Sequence, residues 1–144
     1  MRNTLRTTLA AGLLILSTAA HAATMTVMKS ASCGCCAKWI EHAQKHGFDV
    51  KVVNVDDIMA VKAKAGVPDE LASCHTTMVG GYVVEGHVPA ADIKKLLAEK
   101  PKAKGIAVAG MPMGAPGMEH ADHRQPYQTI LFKADGSTAV FASH

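Results

Sequence analysis

The sequence predicts an α/β fold, a mixed sheet with flanking helices plus a C-terminal β-hairpin, and three observations carry that reading. Strand-like and helix-like runs follow one another in the order strand, helix, strand, helix, strand, strand, helix. A cysteine run, Ser32-Cys33-Gly34-Cys35-Cys36, falls where the first strand gives way to the first helix. Near the end, Asp135-Gly136 joins two alternating runs as a tight turn would.

The first residues stand apart from this pattern. Arg2 and Arg6, the apolar run Leu9–Leu16 and the small-x-small site Ala20-His21-Ala22 read as a secretory signal over residues 1–22, too short in its apolar part to span a membrane. Residues 23–144 then form a single domain. The signal holds two arginines and no acid, so cleavage lowers the net charge from +3 to +1. With that balance, and aromatics at 4%, no basic stripe with interleaved aromatics exists, which excludes a nucleic-acid footprint. No membrane span is expected after cleavage.

Thr24 to Lys29 is β-branched and alternates weakly, as a first strand does. Ala37 to His46 follows with helical spacing of Cys36, Ile40 and Ala43 and stops at Gly47. His42 and His46 share one face of that helix and read as solvated histidines carried away from the cysteines. Phe48 to Val55 is a valine-rich second strand, expected to be buried between layers. Asp56 or Asp57 can cap a short helix from Ile58 to Ala65, ended by Gly66 and Pro68, with Met59 as core filler. Ser73-Cys74-His75-Thr76-Thr77 leads into a hairpin: Thr76–Val79, a Gly80-Gly81 turn, then Tyr82–Glu85. Pro89 opens a helix to about Glu99, with Ile93, Leu96 and Leu97 inward and solvated lysines at its end.

From Gly105 to Pro126 the composition turns to Gly, Pro and Met, which forbids a helix. Met111 and Met113 read equally as ligands or as the plug of an apolar gap. Met118, flanked by Glu119 and His120 and followed by His123, reads as a ligand. Tyr127–Lys133 and Thr138–Phe141 form the closing hairpin.

This order of elements, with a thiol pair after the first strand, is the thioredoxin-like pattern. In that fold the loop entering the third strand lies opposite the thiol turn, so Cys74 and His75 are expected to face Cys33, Cys35 and Cys36. At the first turn of a helix, free N–H groups and the helix dipole favour anions, and thiols there lose protons readily. Four thiolates about 4 Å apart repel by roughly 4 kcal/mol per pair at an effective dielectric near 20, so they need cations. Thiolate and thioether sulfur with some imidazole is the soft set that selects Cu(I). A copper site, mononuclear or polynuclear, follows as the expectation.

Three segments together resemble the CopG-like family of exported copper-resistance proteins: Met28-Lys29-Ser30-Ala31-Ser32-Cys33-Gly34-Cys35-Cys36-Ala37-Lys38-Trp39, Cys74-His75-Thr76, and Gly110 through Glu119. The resemblance covers nearly all of residues 24–142. It implies a thioredoxin-like fold, a role in bacterial copper resistance, and copper binding by Cys33, Cys35, Cys36 and Cys74. Met118 and the nearby His120 and His123 are implied as further ligands, although family members often lack those two histidines. The periplasm is the implied location, with copper ions and other periplasmic copper-handling proteins as partners.

Two other readings compete. Cys33 and Cys36 could serve a thiol–disulfide oxidoreductase, with Cys35 or Cys74 as resolving thiol. Extra thiols beside a redox pair invite scrambling, which weighs against it. A structural zinc module is the third reading, but zinc ribbons use two separated Cys-x-x-Cys knuckles and Cys74 has no second cysteine nearby.

Overall fold

A computed structural model describes residues 22–144. The signal reading of residues 1–22 falls, Ala22 apart, outside the described residues. Seven strands form one sheet in the order β2-β1-β3-β4-β5-β6-β7. In chain order the elements are β1 (Thr24–Lys29), α1 (Gly34–Lys45), β2 (Asp49–Asn54), α2 (Ile58–Ala65), β3 (His75–Val79), β4 (Tyr82–Glu85), α3 (Ala90–Glu99), β5 (Gly105–Ala107), β6 (Gln128–Phe132) and β7 (Thr138–Ser143). β1 runs parallel to β2 and antiparallel to β3, β3 is antiparallel to β4, and β4 is parallel to β5. This is the thioredoxin-like α/β fold, extended by the β6–β7 hairpin.

Strand side chains alternate between two faces, and each face has its own apolar cluster. Val27 pairs with Thr77, Thr77 with Val84 and Val84 with Ile106. On that face Val27, Val84 and Ile106 join Trp39, Ile40 and Ala43 of α1 and Ile93 and Leu96 of α3. Val83, Ala107 and Phe132 gather with Val67 and Leu71 on the other face, after α2. Among the described residues no helix is long and apolar enough to cross a membrane.

Several expectations change. β2 is an edge strand, with Val52 exposed, because β1 covers only one of its sides; valine richness alone does not distinguish an edge from a centre. Met59 is 57% exposed rather than core filler. Helix α1 begins at Gly34, three residues before the apolar periodicity becomes visible. His42 is half-buried, and its Nε2 accepts the backbone N–H of Ala90 at 3.1 Å, at the start of α3. β5, hidden in the segment after Gly105, links the hairpin to the main sheet. Gly105 is obligatory there, since a Cβ would collide with the Val83 carbonyl. Asp57 is the residue that caps α2, its Oδ1 accepting the Ala60 N–H at 2.9 Å, and Gly66 closes that helix at φ 68°.

Candidate metal centre

The cysteine turn sits at the C-terminal end of β1. Cys33 is the N-cap residue of α1 and donates its backbone N–H to Ser30 O at 3.1 Å. Cys35 and Cys36 occupy the first turn of α1, half-exposed and buried respectively. Cys33 and Cys36 are joined as a disulfide, whereas Cys35 and Cys74 are free thiols. Cys35 Sγ lies 3.6 Å from Cys33 Sγ and 3.8 Å from Cys74 Sγ.

Cys74 reaches this position because β3 runs antiparallel beside β1, placing His75 opposite Lys29. A buried carboxylate fixes the loop that carries it. Glu85 Oε1 accepts the backbone N–H of Ser73 at 2.7 Å and the Lys62 ammonium at 2.5 Å, while Thr76 donates to Oε2 at 2.7 Å. The sulfurs of Cys33, Cys35, Cys36 and Cys74 all lie within 4.8 Å of one another.

A second group shares Cys74. Ligand-capable atoms of Cys74, His75 and His87 also fall within 4.8 Å of one another. His87 Nε2 is 2.9 Å from Cys74 Sγ, and His87 Nδ1 is 2.7 Å from Pro116 O. A carbonyl only accepts, so Nδ1 carries the hydrogen and Nε2 turns a lone pair toward the sulfur. Burial lowers the His87 pKa, against the opposing pull of Pro116, so the neutral ring persists near neutral pH.

His75 is buried completely, and neither ring nitrogen has a hydrogen-bond partner. It lies between Trp39 at 4.5 Å and the edge of His87 at 5.2 Å between ring centroids. Burial first, then the charges of His87, Lys62 and Lys29, hold its pKa down to about 3. An orphaned, neutral, buried imidazole is costly unless something binds it, and a soft metal ion is one group that would. Burial pushes the Cys74 thiol up to about 11, so without a metal it is protonated and its hydrogen is available to His87 Nε2. A metal entering here must displace that proton.

The Gly/Pro/Met segment closes over the site. Gly117 has φ 81°, and a Cβ there would meet Trp39 N at 2.8 Å and Cys35 O at 2.9 Å, so the loop lies directly on the first turns of α1. Ala115 and Pro116 are buried, and Met118 is half-buried beside Gly117. Met111 and Met113 are exposed, which rules out their role as an apolar plug. His120 and His123 are exposed, pair across an isolated bridge with rings 5.8 Å apart, and belong to neither ligand group.

The sequence brought Cys33, Cys35, Cys36, Cys74 and His75 forward; it missed His87. The available signal was position: Gly86-His87 directly follows β4, whose end lies beside the start of β3. The donor set, four sulfurs with two neutral imidazoles at one edge, fits a soft, thiophilic metal ion once the disulfide is reduced.

A family model described as a protein of unknown function, DUF411, matches residues 71–118, the stretch from the Cys74 loop to Met118. No curated protein matches the chain. Two solved structures resemble it closely. One, of copper resistance protein copG in form 2, is 44% identical, covers 85% of this chain and 98% of its own, and superposes with a TM-score of 0.82. The other, form 1, is 45% identical over 84% and 96% of the two chains, with a TM-score of 0.80.

Proposed function

The chain belongs to the CopG family of copper-resistance proteins, and on that premise we propose that it is a copper-binding protein of copper homeostasis that holds Cu(I) on cysteine thiolates. The single observation that carries this reading is the convergence of Cys33, Cys35, Cys36 and Cys74 within 4.8 Å. Reduction of the Cys33–Cys36 bridge frees all four sulfurs. One Zn²⁺ on four thiolates leaves a charge of −2 and one Cu(I) leaves −3, whereas several Cu(I) ions sharing bridging sulfurs approach neutrality. His75 and His87 are the next donors inward. Met118, His120 and His123 are further copper ligands on and beside the covering loop. The protein is exported by residues 1–22 as a cleaved signal, and residues 23–144 work in the periplasm beside other copper-handling proteins.

Native mass spectrometry of the mature protein, exposed to Cu(I) under reducing conditions, tests this. Bound copper that disappears in Cys74→Ser supports it; one zinc ion, or no metal, sinks it.

A second reading rests on the Cys33–Cys36 disulfide at the start of α1 with a free thiol 3.6 Å away. That arrangement suits thiol–disulfide exchange. Insulin reduction that survives complete copper removal and is lost in Cys36→Ser would favour it.

A further inference from the structure

An open cleft of about 820 Å³ lies on the α2 face of the sheet, rimmed by Lys64, Lys102, Lys104 and Lys133. Met78 and Val83, which pair across β3 and β4, floor it together with Ala65. The cysteine turn adjoins the other ends of these strands, where Lys29 faces His75 and Thr76 faces Glu85. Backbone bonds fix the segments that carry the lysines. Lys104 donates its N–H to Phe132 O at 2.9 Å, and its carbonyl accepts the Val83 N–H at 3.0 Å. It therefore lies beside the end of β6, from which Lys133 departs. Pro101 O accepts both the Tyr82 hydroxyl at 2.9 Å and the Ala103 N–H at 2.8 Å, which holds the link that carries Lys102.

Helix ends do not account for this concentration of charge. The last turn of α3 has no basic residue, and Lys102 and Lys104 beyond it turn to the cleft instead. The C-terminal end of α2 favours Lys64, and also Lys104, whose Nζ would lie 2.7 Å from a Cβ at Gly66. Lys133 follows a strand, and Lys102 sits in the α3–β5 link. Among the described residues none of the four lysines has an ion-pair partner. Asp135, the acid on the rim, is engaged by its own turn: its Oδ1 accepts the Ser137 N–H at 2.9 Å and the Ser137 hydroxyl at 2.7 Å. Like charges gathered on one concave surface repel one another and attract an anion able to meet several of them.

We propose that this cleft binds a small organic polyanion, a molecule bearing two or more carboxylates or phosphates on an apolar body. The lysines supply point charges for the anionic groups, and Met78, Val83 and Ala65 supply an apolar floor. A concave, largely apolar lining with a few converging polar groups is the usual make-up of a small-molecule site, and the volume falls in the range of such sites. The cleft shares no residue with the metal centre, so the proposal does not rest on the copper reading.

Titration of the metal-free protein with citrate and with trimesate, followed by amide NMR, tests it. Saturable one-to-one binding is expected, with shifts confined to Gly81, Ala103, Ala134 and their neighbours. Benzoate, which has the ring of trimesate but a single charge, should bind about tenfold more weakly or worse. The double variant Lys102→Gln/Lys133→Gln changes two exposed side chains and should weaken trimesate about tenfold. Lys51→Gln, at an exposed position of the edge strand β2, should leave the affinity within about twofold. Absence of saturable binding by both citrate and trimesate at millimolar concentration overturns the proposal. So does equal affinity for benzoate and trimesate, a comparison that needs no variant, or a loss in Lys51→Gln as large as in the double variant. Hexaglutamate shifting the same amides while neither small anion does so also overturns it, and assigns the cleft to an acidic polypeptide.

Discussion

At the scale of single residues, Cys74 and His87 set the character of the site. The imidazole accepts from the thiol and is aimed by the Pro116 carbonyl, so a remote loop fixes its tautomer. His87→Ala is expected to lower stability by about 1–3 kcal/mol, because the Pro116 carbonyl loses its donor inside the protein. Cu(I) affinity should fall by roughly 10- to 100-fold, as when a ligand or its orienting partner is lost. Urea denaturation of the metal-free protein and chelator competition measure the two effects separately. The cysteines were legible in sequence because three of them fall within four residues and their chemistry is narrow. His87 was not, because a lone histidine between Gly86 and Val88 gains meaning only when β3 and β4 pair.

Among the elements, α2 shows how far a cap signal reaches. Both its ends were legible, since Asp57 accepts the Ala60 N–H and Gly66 takes the left-handed conformation that L side chains avoid. Its buried residue is Lys62, which grips Glu85 and through it the Ser73 amide. Asp57→Ala is expected to cost about 1 kcal/mol, read as a lower urea midpoint with unchanged slope. Copper stoichiometry should stay the same, because the Lys62–Glu85 contact lies a full turn beyond the cap. β5 escaped notice for the opposite reason: three residues, one of them glycine, carry no alternation to detect. The start of α1 was legible from the cysteine run, read as the first turn of a helix, although the apolar spacing shows only from Ala37. Gly34 and two cysteines are poor helix signals, yet they form the turn on which the site stands.

For the molecule as a whole, the buried histidines make stability pH-dependent in one direction. His75, His87 and His42 all have lowered pKa values, with burial the leading cause in each. Below about pH 6.5 the unfolded chain takes up protons that the native imidazoles refuse, so native stability falls with acidification; above that pH these groups contribute no slope. For His75 the window runs from about 6.5 down to about 3, with a loss of roughly 1.4 kcal/mol per pH unit. Replacing His75 with Phe should flatten the stability–pH curve by about one proton across that window, measured by denaturant titration of metal-free protein at each pH. An undiminished slope would place the proton uptake elsewhere. The general architecture was legible because period-2 and period-3.6 runs alternate cleanly. Which strand lies at an edge was not, since that depends on partners far along the chain.

The sulfur quartet draws on two segments, one before β2 and one after α2, that meet only through the β1–β3 pairing. An unfolded chain therefore owns a three-cysteine motif but lacks the complete site, and assembly of the site has a fixed order in time. Fluorescence of Trp39, the chain's one tryptophan, should reach its native value before the ultraviolet band of copper–sulfur bonding has fully developed. Under the copper–thiolate proposal, a metal ion that meets the chain before it folds is held by too few sulfurs.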